Sequence, residues 1–181
     1  MNKFNHILKF RKIYLFLMLF TIVVNNKSTA QSTDYKAYSL YVYNFMKYVE
    51  WPEEESKGDF IIALIGDSKI SDELKVVASN KKLKGRKIVF KTFKAVEDIA
   101  FCHLLYVSAS KSSSIKTINQ KFANKPLLII GEREGTVYKG AALSFVTTDE
   151  DELRFDINKK ELENHKLKIA SSLIKLGTLI N

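Results

Sequence analysis

The chain has 181 residues, 46% of them apolar and 27% charged, with seven glycines, two prolines and one cysteine. Scarce glycine and proline and the lack of any repeat or long linker exclude a string of modules, and the lone Cys102 excludes an intrachain disulfide framework. The formal charge of +9 points to an anionic partner only until its distribution is read.

Five of the 29 basic residues, Lys3, Lys9, Arg11, Lys12 and Lys27, stand in the first thirty positions, where there is no acid. The basic start leads into the apolar run Ile13–Val24, and Ser28 and Ala30 offer small residues at the −3 and −1 positions of a cleavage site. This order reads as a secretory signal peptide over residues 1–30, cleaved after Ala30. As a helix the run spans only about 18 Å against a hydrocarbon core of ~30 Å. An uncleaved anchor, lengthened by residues before Ile13, is the alternative. No cysteine lies near the cleavage point to carry a lipid, and no later segment is apolar enough to span a membrane. Without the leader, 24 basic residues face 20 acidic ones, so the net charge is +4. Export argues against nucleic acid as a partner. The cluster Lys81, Lys82, Lys84, Arg86 and Lys87 therefore reads as a solvated loop face, or as a docking surface for anionic lipid or a protein. Residues 31–181 suit a single domain burying roughly 70% of its unfolded surface.

The first predicted element is a helix from Asp34 to Val49, capped by Asp34 and stopped before Pro52. Tyr38, Tyr41, Phe45 and Val49, flanked by Val42 and Tyr48, form an inward stripe. Lys36, Tyr43, Asn44, Lys47 and Glu50 lie mostly opposite. The continuous apolar run Asp59–Gly66 predicts a strand buried on both faces, as in a parallel sheet. A helix over Ser68–Asn80 follows, with Ile70, Leu74 and Val77 inward. Further strands are expected at Lys87–Phe93, His103–Ala109 and Pro126–Gly131, with a short helical piece at Ala95–Ala100 and a helix at Ile115–Phe122 after the N-capping serines Ser112–Ser114. Alternating strands and helices predict an α/β fold with a mostly parallel, doubly wound sheet. Residues 141–157 read as two antiparallel strands joined by the acidic turn Asp149–Glu152, forming a hairpin on one edge. Asn158 with Glu161 resembles a capping box. Leu162, Ile169, Leu173, Leu176 and Ile180 suggest a terminal helix packed on the sheet.

Little in this pattern supports catalysis. Cys102 and His103 are adjacent on a strand and point to opposite faces, which argues against a dyad; Cys102 reads as core and His103 as structural. His165 sits in a polar connection and is expected to face solvent. Ser172–Lys175 matches S-x-x-K, but the companion motifs are absent, and Ser171 and Ser172 are expected against a neighbouring element. Neither paired metal ligands nor a calcium loop is visible, and no cofactor motif is found. Gly66, Asp67 and Ser68 follow the first buried strand and open a helix, where open α/β sheets bind ligands. They read either as an ordinary cap or as a small-ligand crevice. The segment lacks a phosphate-loop pattern, and Asp67 would repel a phosphate.

Seven segments, YNFMKYVEWP, IALIGDS, LKGRKIVFKTF, CHLLYVS, GAALSFV, LRFDIN and LKIASSLIKLG, resemble in order and spacing the YfiR family, domain-of-unknown-function family 4154. The resemblance covers nearly all of residues 35–180. It implies an exported, non-enzymatic protein with an α/β domain. Such a protein would repress an inner-membrane diguanylate cyclase by engaging its periplasmic sensor region, and so lower cyclic-di-GMP signalling and biofilm formation. Sensor kinases are other partners that the resemblance admits. Better-known relatives carry more cysteines than the one found here, which sets disulfide control apart from this chain. Tyr43, Asn44 and Lys47 on the outer helix face, with Trp51 at its exit, form a candidate partner-binding patch. Arg154 and Lys168 could serve an interface or solvent, and a homodimer is possible. Competing readings are a periplasmic small-ligand protein using Gly66–Ser68 and, more remotely, a small hydrolase.

Overall fold

The computed structural model describes residues 33–180; the signal peptide expected over residues 1–30 lies outside them. Helix α1 (Tyr35–Tyr48) begins where the Asp34 carboxylate accepts from the Lys36 and Ala37 N–H groups, each at 3.1 Å. It ends at Val49, which turns extended ahead of Pro52. Val49–Glu50 form β1, a two-residue strand paired antiparallel with β9 (Lys168–Ile169).

The remaining elements are β2 (Phe60–Ile65), α2 (Ile70–Asn80), β3 (Lys82–Leu83), β4 (Arg86–Phe93), β5 (Leu104–Val107), α3 (Ile115–Lys121), β6 (Leu128–Gly131), β7 (Leu143–Thr147), β8 (Leu153–Asn158), α4 (Lys159–Asn164), β9, α5 (Ser171–Ile174) and β10 (Thr178–Ile180). The main sheet runs in the order β10-β8-β7-β6-β5-β2-β4-β3. β7, β6, β5, β2 and β4 are all parallel to their neighbours in this stretch. The pairs β7–β8 and β3–β4 are antiparallel, and β10 joins β8 in parallel. The fold is the expected mixed α/β class with a mostly parallel centre.

Alternation along the strands divides the core in two. One face receives Phe60, Ile62 and Leu64 of β2 with Phe145 and Phe155, and is covered by α1 and α2. The other receives Ala63, Ile65, Leu105, Val107 and Ile129, and is covered by Ile115 and Ile118 of α3. The α1 stripe is rotated from the expected one. Ser39, Val42, Phe45 and Met46 are buried, while Tyr48 is 39% exposed. Tyr38 and Tyr41 flank the stripe and close over Phe145 and Phe155 at ring distances of 4.2 and 5.7 Å.

Four other expectations are corrected. Residues 95–100 form turns rather than a helix, closed by Ile99 N–H donating to Val96 C=O. No serine side chain caps α3; Ala109–Ser114 is itself a 3-10 turn leading into it. The C-terminal stripe is not one helix. α4 ends where Lys166 takes φ +56, and Leu167 turns back by bonding the Leu162 carbonyl. Ile169 then pairs with Val49, and Gly177 lies so close to Phe155 that a Cβ there would sit 2.4 Å from its ring. Leucine spacing suits a helix, but the chain here breaks into β9 paired with β1, the short helix α5, and β10 paired with β8. Because β10 lies outside β8, the β7–β8 hairpin is internal rather than at an edge.

Candidate functional site

Three regions hold the residues singled out by sequence. On the outer side of α1, Asn44 and Lys47 are exposed. The Lys47 ammonium lies 5.9 Å from the Tyr43 ring centre and 5.3 Å from that of Tyr48. Tyr43 itself is half-buried, and its hydroxyl donates to the Lys82 carbonyl at 3.0 Å. The expected patch is therefore narrower at Tyr43 and gains Tyr48, whose ring the sequence had assigned inward. Through Lys82 it continues onto the β3 edge of the sheet.

Trp51 belongs to a different place, the amino end of the parallel strands. Its indole N–H donates to the His103 carbonyl at 3.2 Å, and its ring meets Phe60 edge-on at 5.0 Å. His103 stacks on Phe60 at 4.6 Å, and its Nδ1 accepts the Ile61 N–H at 3.0 Å. The Arg86 guanidinium donates to the carbonyls of Lys57, Gly58 and Asp59 and lies 3.2 Å from His103 Nε2. Arg86 is thus a clamp on the loop before β2, not one more solvated cation. Burial, and then the Arg86 charge, lower the His103 pKa to about 4. Cys102 faces the α3 side, and burial pushes its thiol up to about 12, where it is a poor nucleophile.

The third region is the carboxyl end of the strands. From β2 the chain crosses to β4 on one side and later to β5 on the other, so β2 and β5 flank the reversal of strand order. Gly66 ends β2 with φ +82, and a Cβ there would meet Ser108 Oγ at 2.3 Å, so glycine is required by both conformation and space. A cleft of about 450 Å³ runs over Gly66, Asp67 and Ser68 toward Phe93 and Lys94. Ser68 Oγ accepts weakly from the Ile70 N–H at 3.3 Å and donates to the Glu132 carboxylate. The second Glu132 oxygen accepts the Ala109 N–H at 2.6 Å. Glu132, which follows β6, was not found from sequence; its only signal is an acid placed directly after a buried strand. It fills the position where an anionic ligand would meet backbone N–H groups. Beneath it the hydroxyl of Tyr106 is buried without a hydrogen-bond partner. Burial, reinforced by the Glu132 charge, raises the Tyr106 pKa.

Elsewhere, His165 is buried rather than solvent-facing, at 1% exposure. Its Nδ1 lies 2.8 Å from the Lys125 carbonyl and its Nε2 2.5 Å from Asn119 Oδ1. Asn119 also donates to the Gly140 carbonyl and to Glu161. Glu161 is thereby drawn away from a reciprocal capping box, although its N–H donates to Asn158 Oδ1 at 3.1 Å. Ser171 and Ser172 are exposed, against expectation, because α5 presents only Leu173 to the core. Glu152 in the acidic turn pairs with Arg154 at 2.5 Å in solvent, and Lys168 is exposed. Among the described residues no cluster of three His, Cys, Asp or Glu side chains could hold a metal, and no helix is long and apolar enough to cross a membrane.

No curated protein matches the chain significantly. Among solved structures, a conserved domain protein from Vibrio cholerae O1 biovar El Tor aligns with a TM-score of 0.55 at 14% identity, over 79% of this chain and 60% of that one. The ABC domain in complex with L-Trp from Streptococcus pneumoniae aligns at 0.48 and 17% identity, over 67% of this chain and 55% of that one. The chain therefore spans about 60% of the first of these proteins, and at such identity that likeness speaks for fold alone. The sequence match is more specific: residues 35–178 fit the family described as YfiR/HmsC-like, whose members are periplasmic and regulatory rather than catalytic. With nearly the whole described domain inside that match, the chain belongs to the YfiR/HmsC-like family.

Proposed function

We propose that the protein is an exported regulator that binds the periplasmic part of an inner-membrane signalling protein, a diguanylate cyclase or a sensor kinase, and holds it in its repressed state. The family match over residues 35–178 carries this reading. Repression of this kind needs only differential affinity. A preference of about 2.7 kcal/mol for one sensor state shifts its equilibrium a hundredfold. The outer face of α1, with Asn44 and Lys47 exposed, is the proposed contact. The α1 rings packed on Phe145 and Phe155 hold that face rigidly. Rigid presentation lowers the ordering cost of binding.

A photo-crosslinker at Asn44 or Lys47 in the producing bacterium tests this. The expected product is an adduct with an inner-membrane protein that carries a cytoplasmic cyclase or kinase domain, together with raised signalling output when the gene is deleted. Crosslinking at neither position, with deletion leaving the output unchanged, would sink the proposal.

A second reading, a small ligand in the crevice at Gly66–Ser68, is supported by its place at the reversal of strand order. Glu132 weighs against an anionic ligand there. A ligand-dependent rise in Tm that Asp67→Asn abolishes would support this reading. A rise left unchanged by that substitution would remove Asp67 from the site.

A further inference from the structure

Strand β4 leaves one long side of the sheet open. β2 pairs with it from Ile88 to Phe93, but β3 covers its outer side only at Arg86 and Lys87. The Phe93 carbonyl accepts the Gly66 N–H at 2.9 Å on the inner side. Alternation along the strand then turns the backbone groups of Phe90 and Thr92 outward, where among the described residues no strand meets them. The open ledge is about 20 Å long.

A groove of about 610 Å³ lies along this ledge, between β4 and the outer side of α2. It is lined by Lys75, Lys81, Lys82 and Lys87 around the half-buried Phe90, with Ile88 buried beneath, and no acidic side chain lines it. Of these lysines only Lys75 pairs with a carboxylate among the described residues, Asp72 at 2.9 Å. Lysines on an edge strand commonly guard it against self-association. Here they do more than interrupt an edge, because they surround an apolar floor beside a row of free backbone donors and acceptors. A second copy of this chain would bring the same lysines face to face and is disfavoured by repulsion. An acidic strand would be attracted by the charges that repel the copy.

We propose that the β4 edge takes up an extended, acidic segment of a partner protein as an added strand. Its main chain bonds Phe90 and Thr92, its carboxylates meet Lys82 and Lys87, and an apolar side chain covers the half-buried Phe90. The ledge adjoins the outer face of α1 through the Tyr43–Lys82 contact, so one partner can use both. This deepens the regulatory reading and rests on it only for the identity of the partner. Peptide binding in solution and repression in the cell can fail separately.

The test uses protein purified after export and a fluorescent octapeptide of alternating glutamate and valine. The peptide is expected to bind and to slow amide exchange at Phe90 and Thr92. Lys82→Glu with Lys87→Glu, at exposed positions, should weaken binding at least about tenfold. Thr92→Pro keeps the charge, is tolerated on an edge strand, and should also abolish binding. A peptide N-methylated at alternate residues repeats that test without altering the fold. Absence of binding, absence of added protection at Phe90 and Thr92, or binding unaffected by N-methylation would each overturn strand addition. Binding to phosphatidylglycerol vesicles that the lysine reversals abolish and Thr92→Pro spares would assign the groove to a lipid surface instead.

Discussion

On the face of the sheet covered by α1 and α2, Phe45, Phe60, Tyr106, Phe145 and Phe155 form a layer of buried rings, whereas the face under α3 is filled by Ile65, Leu105, Val107, Ile118 and Ile129. The ring layer has defined geometry: Phe45 meets Phe155 edge-on at 4.9 Å, and Tyr41 and Tyr38 close its rim. Such contacts add about 0.5–1.5 kcal/mol per pair beyond area burial and depend on orientation. They fix the rotation of α1, and so fix which residues it shows to solvent. Aliphatic side chains on the α3 face pack without such directional demands and tolerate volume-conserving change. The face carrying the proposed partner surface is thus the one with the more exacting core.

Phe45→Ala should break the comparison most. Removing the ring at the centre of the layer is expected to cost about 3–5 kcal/mol, read as a lower midpoint in urea denaturation. An unchanged midpoint would show that the ring layer is not what holds α1.

His103, stacked on Phe60 at the margin of the same layer, should give the next effect. Its pKa is lower folded, at about 4, than the ~6.5 of an unfolded histidine, so the unfolded chain binds more protons between these values. Its contribution is therefore fully present above pH 6.5 and is lost as pH falls toward 4. The loss is at most about 3 kcal/mol. His103→Gln should flatten the pH dependence of Tm in this window. An equally steep profile in the variant would assign the acid sensitivity to other groups.

On the α3 face, Ile118→Val should cost only about 0.5–1.5 kcal/mol, without changing the exposure of Lys47 to modification reagents. A larger loss would mean that this face is packed as tightly as the other. Smallest of all, Lys47→Ala should shift stability by no more than about 0.5 kcal/mol, while reducing crosslinking of the partner. A large stability loss there would make the Lys47 contacts with Tyr43 and Tyr48 structural rather than available for docking.

The first helix, the buried strands and the parallel order were legible because continuous apolar runs and turn residues mark them directly. The rotation of α1 was not. Its tyrosines satisfied the 3/4 spacing, but Met46 and Ser39 proved inward and Tyr48 outward. Tyrosine serves both core and surface, since its ring can be buried while its hydroxyl bonds outward, as Tyr41 does to the Leu153 carbonyl at 3.1 Å. Of the candidate residues, Asn44 and Lys47 lie on the outer face as expected, whereas Tyr43 is tied to Lys82 and Trp51 to His103 at the far end of the strands.

By itself the sequence determined the α/β class, the continuous buried strands, the turn at Gly66 and the family, because each depends on local pattern or on segments read in order. Only the tertiary structure decided the course of the C-terminal segment, the burial of His165, the Glu132 plug at the strand ends and the open lysine-lined edge of β4. The first three rest on partners distant in the chain, Val49 for Ile169, Asn119 for His165 and Ser68 for Glu132, whereas the β4 edge stays open because its hairpin neighbour β3 is only two residues long. Local periodicity states which side chains seek burial or charge. Which backbone groups find partners is settled only when the sheet is assembled.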